Sequence, residues 1–166
     1  MSQHYEAYKI LENNASSALS KFELPEFSTE GEGVVFNNIA LIQRQRKKLI
    51  KIAMQIRSLQ RLISDKVYEQ KLLRDNIVNE HAPKLIGFKT KEERESAINS
   101  RTLVSVSLED NYIELEKLLD KLLLDINIAI TECQKEFDSY ELVYNFSRLN
   151  SMGYLLAQAN HKLSNS

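Results

Sequence analysis

Residues 112–143 have the sequence YIELEKLLDKLLLDINIAITECQKEFDSYELV, and this stretch decides the fold. Its apolar residues recur at alternating steps of three and four, with Glu136 as the one polar exception: Tyr112, Leu115, Leu119, Leu122, Ile126, Ala129, Cys133, Tyr140 and Val143. This spacing lines one face of an α-helix. Neighbouring apolar residues such as Leu118, Ile130 and Phe137 widen that face. So broad a face favours a helical bundle over a two-stranded coiled coil.

A second long helix is predicted over residues 34–80, where neither Gly nor Pro occurs. Its apolar residues follow the same spacing: Ile42, Leu49, Ile52, Ile56, Leu59 and Ile63, then Leu73 and Ile77. Pro83 and Gly87 interrupt the chain between the two helices, because the residue before a proline is pushed out of the helical region. We therefore predict an all-α fold, a long antiparallel helical hairpin with short accessory helices, in an oligomeric bundle.

Residues 1–33 are predicted to form a separate N-terminal region, a helix followed by an acidic linker that contains Pro25. Residues 34–166 form the hairpin domain. Thr90 with Glu93 resembles a capping box and predicts a short helix over residues 91–101. A further cap at Ser107 predicts that the long helix covers residues 108–149.

Three apolar residues of the acidic linker, Phe22, Leu24 and Phe27, have two interpretations. They form either a peptide motif for a partner's groove or a cluster that packs back onto the helices. The second interpretation is favoured, because exposed apolar clusters are uncommon in monomers.

Composition excludes several classes of protein. Four Gly and two Pro among 166 residues are too few for the turns of an all-β fold, and Gly31 and Gly33 lack the rest of a phosphate-binding loop. The single cysteine, Cys133, excludes an intrachain disulfide and a multi-thiolate zinc site, which favours a cytoplasmic location, in the host cell if the source is viral. No apolar run is long enough for a membrane span, so no membrane partner is expected.

Reactive groups do not converge in the sequence. The three histidines, His4, His81 and His161, lie far apart and match no metal-ligand spacing. Acidic pairs such as Glu92-Glu93 alternate with lysines, which is typical of solvated helix faces. The sequence therefore predicts no enzyme, no metal and no cofactor.

The distribution of charge is the most informative functional feature. Residues 44–75 carry ten basic and three acidic side chains, a balance of +7, although the whole chain has a net charge of −1. Helical spacing places the basic residues away from the apolar face. We predict that they form a cationic ridge for phosphate backbones: Arg44, Arg46, Lys47, Lys48, Lys51, Arg57 and Arg61. An ordinary solvated face, or a match to an acidic protein surface, is the alternative.

The wide apolar face of the last helix exceeds what one partner helix covers. We therefore expect homo-oligomerisation through Leu115, Leu119, Leu122, Ile126 and Phe137. In the competing interpretation, the first helix and the linker fill this face within the monomer.

The layout resembles that of the UvsY family of recombination mediators of T4-like phages. The basic region 44–74, the segment 91–98 with the helix 115–137, and Asn145-Phe-Ser-Arg-Leu149 carry this resemblance. It implies single-stranded DNA binding by the basic region and a ring assembled through the C-terminal helix. The resulting expectation is a non-enzymatic accessory protein that helps load a recombinase or another protein onto single-stranded DNA. The alternative is a coiled-coil structural adaptor or phage-assembly scaffold with a protein partner.

Overall fold

The computed structural model describes residues 2–28, 31–81 and 90–164, and every regular element among them is a helix. Helix α1 covers Ser2–Ser20, α2 covers Glu32–His81 and α3 covers Lys91–Ser164. The predicted all-α class is confirmed. The predicted connection around Pro83 and Gly87 lies outside the described residues.

The chain divides into two compact units, and each long helix contributes to both. Unit 1 contains residues 1–15 and 52–125, and unit 2 contains residues 16–51 and 126–166. In unit 1, Gln60 on α2 donates a hydrogen bond to Asp120 on α3, and Ser64 donates one to Glu116. Residue numbers therefore rise along α2 as they fall along α3. In unit 2, Phe36 likewise lies against Tyr144 and Asn38 donates a hydrogen bond to Tyr140. The two helices are thus antiparallel within each unit, as predicted.

The predicted apolar faces form the cores. In unit 1, Ile56, Ile63 and Leu119 are fully buried, and in unit 2 so are Ile42 and Cys133. Burying one such side chain contributes on the order of 1.5–3 kcal/mol. Leu73, which the predicted α2 pattern includes, is 48% exposed instead.

Helix α3 differs from its predicted bounds, because the short helix 91–101 and the long helix 108–149 are one continuous helix. The predicted cap at its start is confirmed, since the Glu93 amide donates to Thr90 Oγ1 at 3.2 Å. The predicted second start at Ser107 is wrong. The buried face instead continues through Thr102 and Ser105, which are 9% and 3% exposed. Their hydroxyls donate to the carbonyls of Ile98 and Gln70, so neither is an unsatisfied polar group.

The start of α2 depends on Gly31, whose φ of 80° suits a residue without Cβ. The amides of Val34 and Val35 both donate to the Gly31 carbonyl at 3.2 Å, which closes the first turn. Gly33, predicted to break regular structure, lies inside α2. Nothing lies within 4 Å of a Cβ built at Gly33, so the helix accommodates it without a packing conflict.

The linker between α1 and α2 is fastened to α3 inside unit 2. The Tyr140 hydroxyl donates to the Glu26 carbonyl and accepts from the Ser28 amide at 3.2 Å and from Asn38 Nδ2 at 3.1 Å. The Phe27 ring lies 5.0 Å from the Tyr140 ring. Phe22 and Leu24 are half-buried in the same unit, which matches the interpretation that the linker packs back onto the helices, whereas Phe27 is 51% exposed.

Candidate nucleic-acid interface

A cationic cleft lies in unit 2 beside the end of α1. Its volume is about 150 Å³, and it is lined by Ala18, Lys21, Phe22, Arg44, Gln45, Lys48 and Leu49. Arg44 and Lys48 are four residues apart on α2, so they share one side of the helix. Three of the lining side chains are cations, and two buried apolar residues, Ala18 and Leu49, also line the cleft. We name these three cations, Lys21, Arg44 and Lys48, the cationic triad.

The linker brings Lys21 to the cleft. Helix α1 ends at Ser20, and the Phe22 amide donates back to the Leu19 carbonyl at 3.1 Å. Gln45 Nε2 on α2 then donates to the Glu23 carbonyl at 2.9 Å, which holds the linker against α2. The backbone of Lys21 therefore lies between two hydrogen-bonded positions of the chain.

The side chains of the cationic triad are not paired with acidic side chains of the described residues. Within residues 2–28, 31–81 and 90–164, no ion pair involves Lys21, Arg44 or Lys48. By contrast, Lys66 and Arg74 of unit 1 are paired with Glu69 and Glu109. The charges of the triad therefore remain available to an external anion.

Lys47 and Lys51 are exposed on the same part of α2, and neither forms an ion pair with a described residue. Arg46 is placed differently. It is half-buried, and its Nε atom is buried without a hydrogen-bond partner among the described residues. Arg46 belongs to the interior side of unit 2, since its charge acts on the thiol of Cys133.

Arg57 and Arg61 lie on α2 within unit 1, where both are exposed. Neither takes part in any ion pair among the described parts of the chain. Of the seven basic residues predicted to form a ridge, the structure thus brings two, Arg44 and Lys48, into the cleft.

The residues predicted to mediate oligomerisation are packed inside the chain. In unit 1, Leu115, Leu119 and Leu122 are at most 9% exposed, and in unit 2 Ile126 is fully buried and Phe137 is half-buried. This placement matches the competing interpretation that the face is filled within the monomer.

Lys21 is the cleft residue that sequence reasoning missed. It lies outside the basic segment 44–75, in a linker whose other charged residues are acidic. No periodicity connects it to α2. Lys21 lies at the cleft because the linker packs against α2, where Gln45 donates a hydrogen bond to the Glu23 carbonyl. In the sequence, only the apolar residues Phe22 and Leu24 indicated that the linker packs back onto the helices.

Unit 1 contains a second group of polar contacts, on α1. Tyr8 donates to Glu12 Oε1 at 2.6 Å, and Lys9 Nζ lies 2.8 Å from Glu12 Oε2. The Lys9 and Tyr8 hydrogen bonds lower the pKa of Glu12. The Glu12 hydrogen bond likewise raises the pKa of Lys9. Because all three residues lie within two turns of one helix, the group acts on α1 itself and leaves no free charge for a ligand.

Among the described residues, no group of three or more His, Cys, Asp or Glu side chains could hold a metal ion. None of the described helices has the length and apolar character that a membrane crossing requires.

Comparison of the chain with models of protein families, with curated proteins and with solved structures found no match.

Proposed function

We propose that this protein is a non-enzymatic accessory protein that binds single-stranded nucleic acid through the cationic triad and the exposed Lys47 and Lys51. The observation that carries the proposal is the cleft with three cations and no acidic residue in its lining. Phosphate oxygens are the natural ligand for such a group, because Arg and Lys neutralise them and release counterions.

The proposal favours backbone contacts over recognition of bases. The cleft contains no aromatic side chain for base stacking apart from the half-buried Phe22. Proteins that bind single strands contact the bases mainly by stacking them on aromatic side chains. Gln45 supplies an amide next to the cations, but its Nε2 already donates to Glu23. We therefore expect binding with little sequence preference.

Loading of a recombinase or another protein onto the bound strand is the finer part of the proposal. The resemblance to the UvsY family, described above from the basic region and the last helix, supports it. It is tested after strand binding itself, by asking whether the protein accelerates the assembly of a recombinase on DNA coated with single-strand-binding protein.

The experiment is a fluorescence-anisotropy titration of a labelled single-stranded oligonucleotide at low salt. The wild-type chain is compared with the double variant Arg44→Glu, Lys48→Glu. The matched control is Lys117→Glu, Lys121→Glu on α3, which has the same four-residue spacing, the same exposure and the same change of charge. Loss of binding in the first variant alone supports the proposal, whereas equal losses or no wild-type binding contradict it.

A structural adaptor is the second candidate function. The exposed apolar residues of α3 beyond Tyr144 favour it, including Phe146 and Leu149, each 66% exposed. An adaptor of this kind co-purifies with a protein partner after nuclease treatment. A nucleic-acid accessory protein loses its co-purifying material under the same treatment.

A further inference from the structure

The C-terminal part of α3 carries a leucine at every seventh position. Leu142, Leu149, Leu156 and Leu163 are 69%, 66%, 61% and 75% exposed. Seven residues are nearly two helical turns, so the four leucines lie along one side of the helix. This side of the helix is therefore open to solvent along Leu142, Leu149 and Leu156.

Three further residues complete a heptad pattern between these leucines. Each of them, Phe146, Gly153 and Asn160, lies four positions after one leucine and three positions before the next. In heptad notation the leucines occupy position d, and these three residues occupy position a. The leucines at position d span three heptads, and Phe146 is the apolar residue at position a.

The charges of this segment lie away from the leucine seam. Glu141, Arg148 and Lys162 occupy outer position c. The positions that flank the seam, e and g, contain no charged residue: Val143, Asn145, Asn150, Met152, Ala157, Ala159 and Ser164. Two identical chains therefore meet along this seam without like charges facing each other, which is the condition for self-pairing.

The segment lacks intrachain support for its apolar side. The packing of α3 with α2 in unit 2 reaches Tyr144, which is half-buried with its ring 6.3 Å from that of Phe36. Every residue from Asn145 to Ser164 is exposed. Most of the stability of a helix in a protein comes from packing of its apolar face, and a row of exposed leucines gains stability only when another surface covers it.

We propose that residues 142–163 of α3 pair, parallel and in register, with the same segment of a second copy of the chain. Parallel pairing places Asn160 opposite Asn160 of the second copy, and a polar Asn at one a position selects the register and the two-stranded state. The pairing surface is separate from the cationic triad. It is also separate from Leu115, Leu119 and Leu122, which are buried in unit 1.

The test measures the molar mass of the full chain by sedimentation equilibrium over a range of concentrations. The wild type is expected to approach twice 19.2 kDa. Leu156→Glu at position d is expected to weaken pairing by more than about tenfold, because a buried unpaired carboxylate costs several kcal/mol. Leu155→Glu is the matched control, since Leu155 is equally exposed, at 62%, but occupies outer position c.

The orientation is tested with Asn160→Cys. The sequence has one other cysteine, Cys133, which is buried. A parallel pair brings the two new thiols together, so mild oxidation is expected to give a disulfide-linked dimer. In an antiparallel pair the thiols lie at opposite ends and no such dimer forms.

Several results overturn the proposal. A mass of 19.2 kDa at all concentrations shows that no second copy covers the leucines. A dimer that tolerates Leu156→Glu, or that dissociates equally with Leu155→Glu, places the interface elsewhere. A trimer or larger species, or no disulfide in Asn160→Cys, contradicts the parallel pair. Circular dichroism of each variant confirms that the helical fold persists.

Discussion

The hydroxyl of Tyr140 on α3 donates a hydrogen bond to the backbone carbonyl of Glu26 in the linker. The same oxygen accepts from Asn38 on α2 and from the Ser28 amide, so one buried side chain joins three parts of unit 2. The linker contacts that bring Lys21 to the cleft occur in the same unit. Removal of this hydroxyl is costly, because three hydrogen bonds are lost at once and the two donors, the Ser28 amide and the Asn38 side chain, belong to half-buried residues.

Tyr140→Phe is therefore expected to lower the free energy of unfolding by about 1–3 kcal/mol. The phenyl ring stays and packs as before, so the loss reports the hydrogen bonds. Urea unfolding followed by circular dichroism measures it. Tyr144→Phe is the control, since the Tyr144 hydroxyl forms no hydrogen bond with the described residues, and an equal loss there would show that the Tyr140 contacts are not special.

The salt dependence of nucleic-acid binding gives a second prediction. Each phosphate neutralised on a single strand contributes about −0.7 to the slope of log affinity against log salt. The cationic triad alone accounts for a slope of about −2. Lys48→Gln is expected to make the slope shallower by about 0.7, and Lys117→Gln to leave it unchanged. A slope that is the same in both variants would contradict a role of Lys48 in phosphate contact.

The environment of Tyr8 predicts a loss of stability at alkaline pH. Burial, and then the hydrogen bond to Glu12, raise the pKa of Tyr8 from 10.0 to about 12. The unfolded chain therefore loses this proton near pH 10 and the folded chain near pH 12. Between these values the unfolded state is favoured increasingly, so the free energy of unfolding falls as pH rises. Below about pH 10 this contribution is constant.

Urea unfolding of the wild type and of Tyr8→Phe at about pH 9 and about pH 11.5 isolates this contribution. Lysines titrate over the same range in both proteins, so the difference between the two profiles belongs to Tyr8. We expect the wild type to lose more stability than Tyr8→Phe over this interval. Parallel profiles would show that the Tyr8 phenol titrates alike in the folded and unfolded states.

Cys133 is predicted to be unreactive in the folded protein. Burial raises the pKa of its thiol, and the nearby positive charge of Arg46 only partly opposes this. Since the thiolate is the reactive form, an aromatic disulfide reagent is expected to label Cys133 about a hundredfold or more slowly than in urea. Ser151→Cys, at an exposed position outside the proposed leucine seam, supplies an exposed thiol for comparison. Rapid labelling of wild-type Cys133 would show that unit 2 opens readily.

Much of the fold follows from periodicity. The apolar positions of α2 from Ile42 to Ile63 and of α3 from Tyr112 to Tyr140 are buried as their spacing predicts. The predicted break between residues 101 and 108 is wrong, because the small polar residues Thr102 and Ser105 on the buried face conceal the apolar period there. A hydroxyl that bonds to the preceding turn or to the neighbouring helix removes this conflict.

The candidate site was less predictable than the fold. Charge counting located Arg44 and Lys48, since both belong to the basic segment. It could not separate them from Arg46, which is half-buried on the side of Cys133. Nor could it add Lys21, because that residue reaches the cleft through a turn and through a side-chain bond to the Glu23 carbonyl. Contacts between a linker and a helix produce no regular spacing of residues in the sequence, so they could not be predicted from it.

The linker fastening has a consequence for the order of folding. Its bonds to Tyr140 join residues that are 112 and 114 positions apart, whereas the bond between Ser105 and Gln70 spans 35 positions. Closing the longer loop costs about 1 kcal/mol more chain entropy. We therefore expect contacts near the α2–α3 connection to form before the linker is fastened to Tyr140, because distant contacts yield their stabilisation only after the loop entropy is lost. The cleft around Lys21 depends on a shorter loop, the 22 positions between Glu23 and Gln45, so we expect it to form without waiting for the bonds to Tyr140.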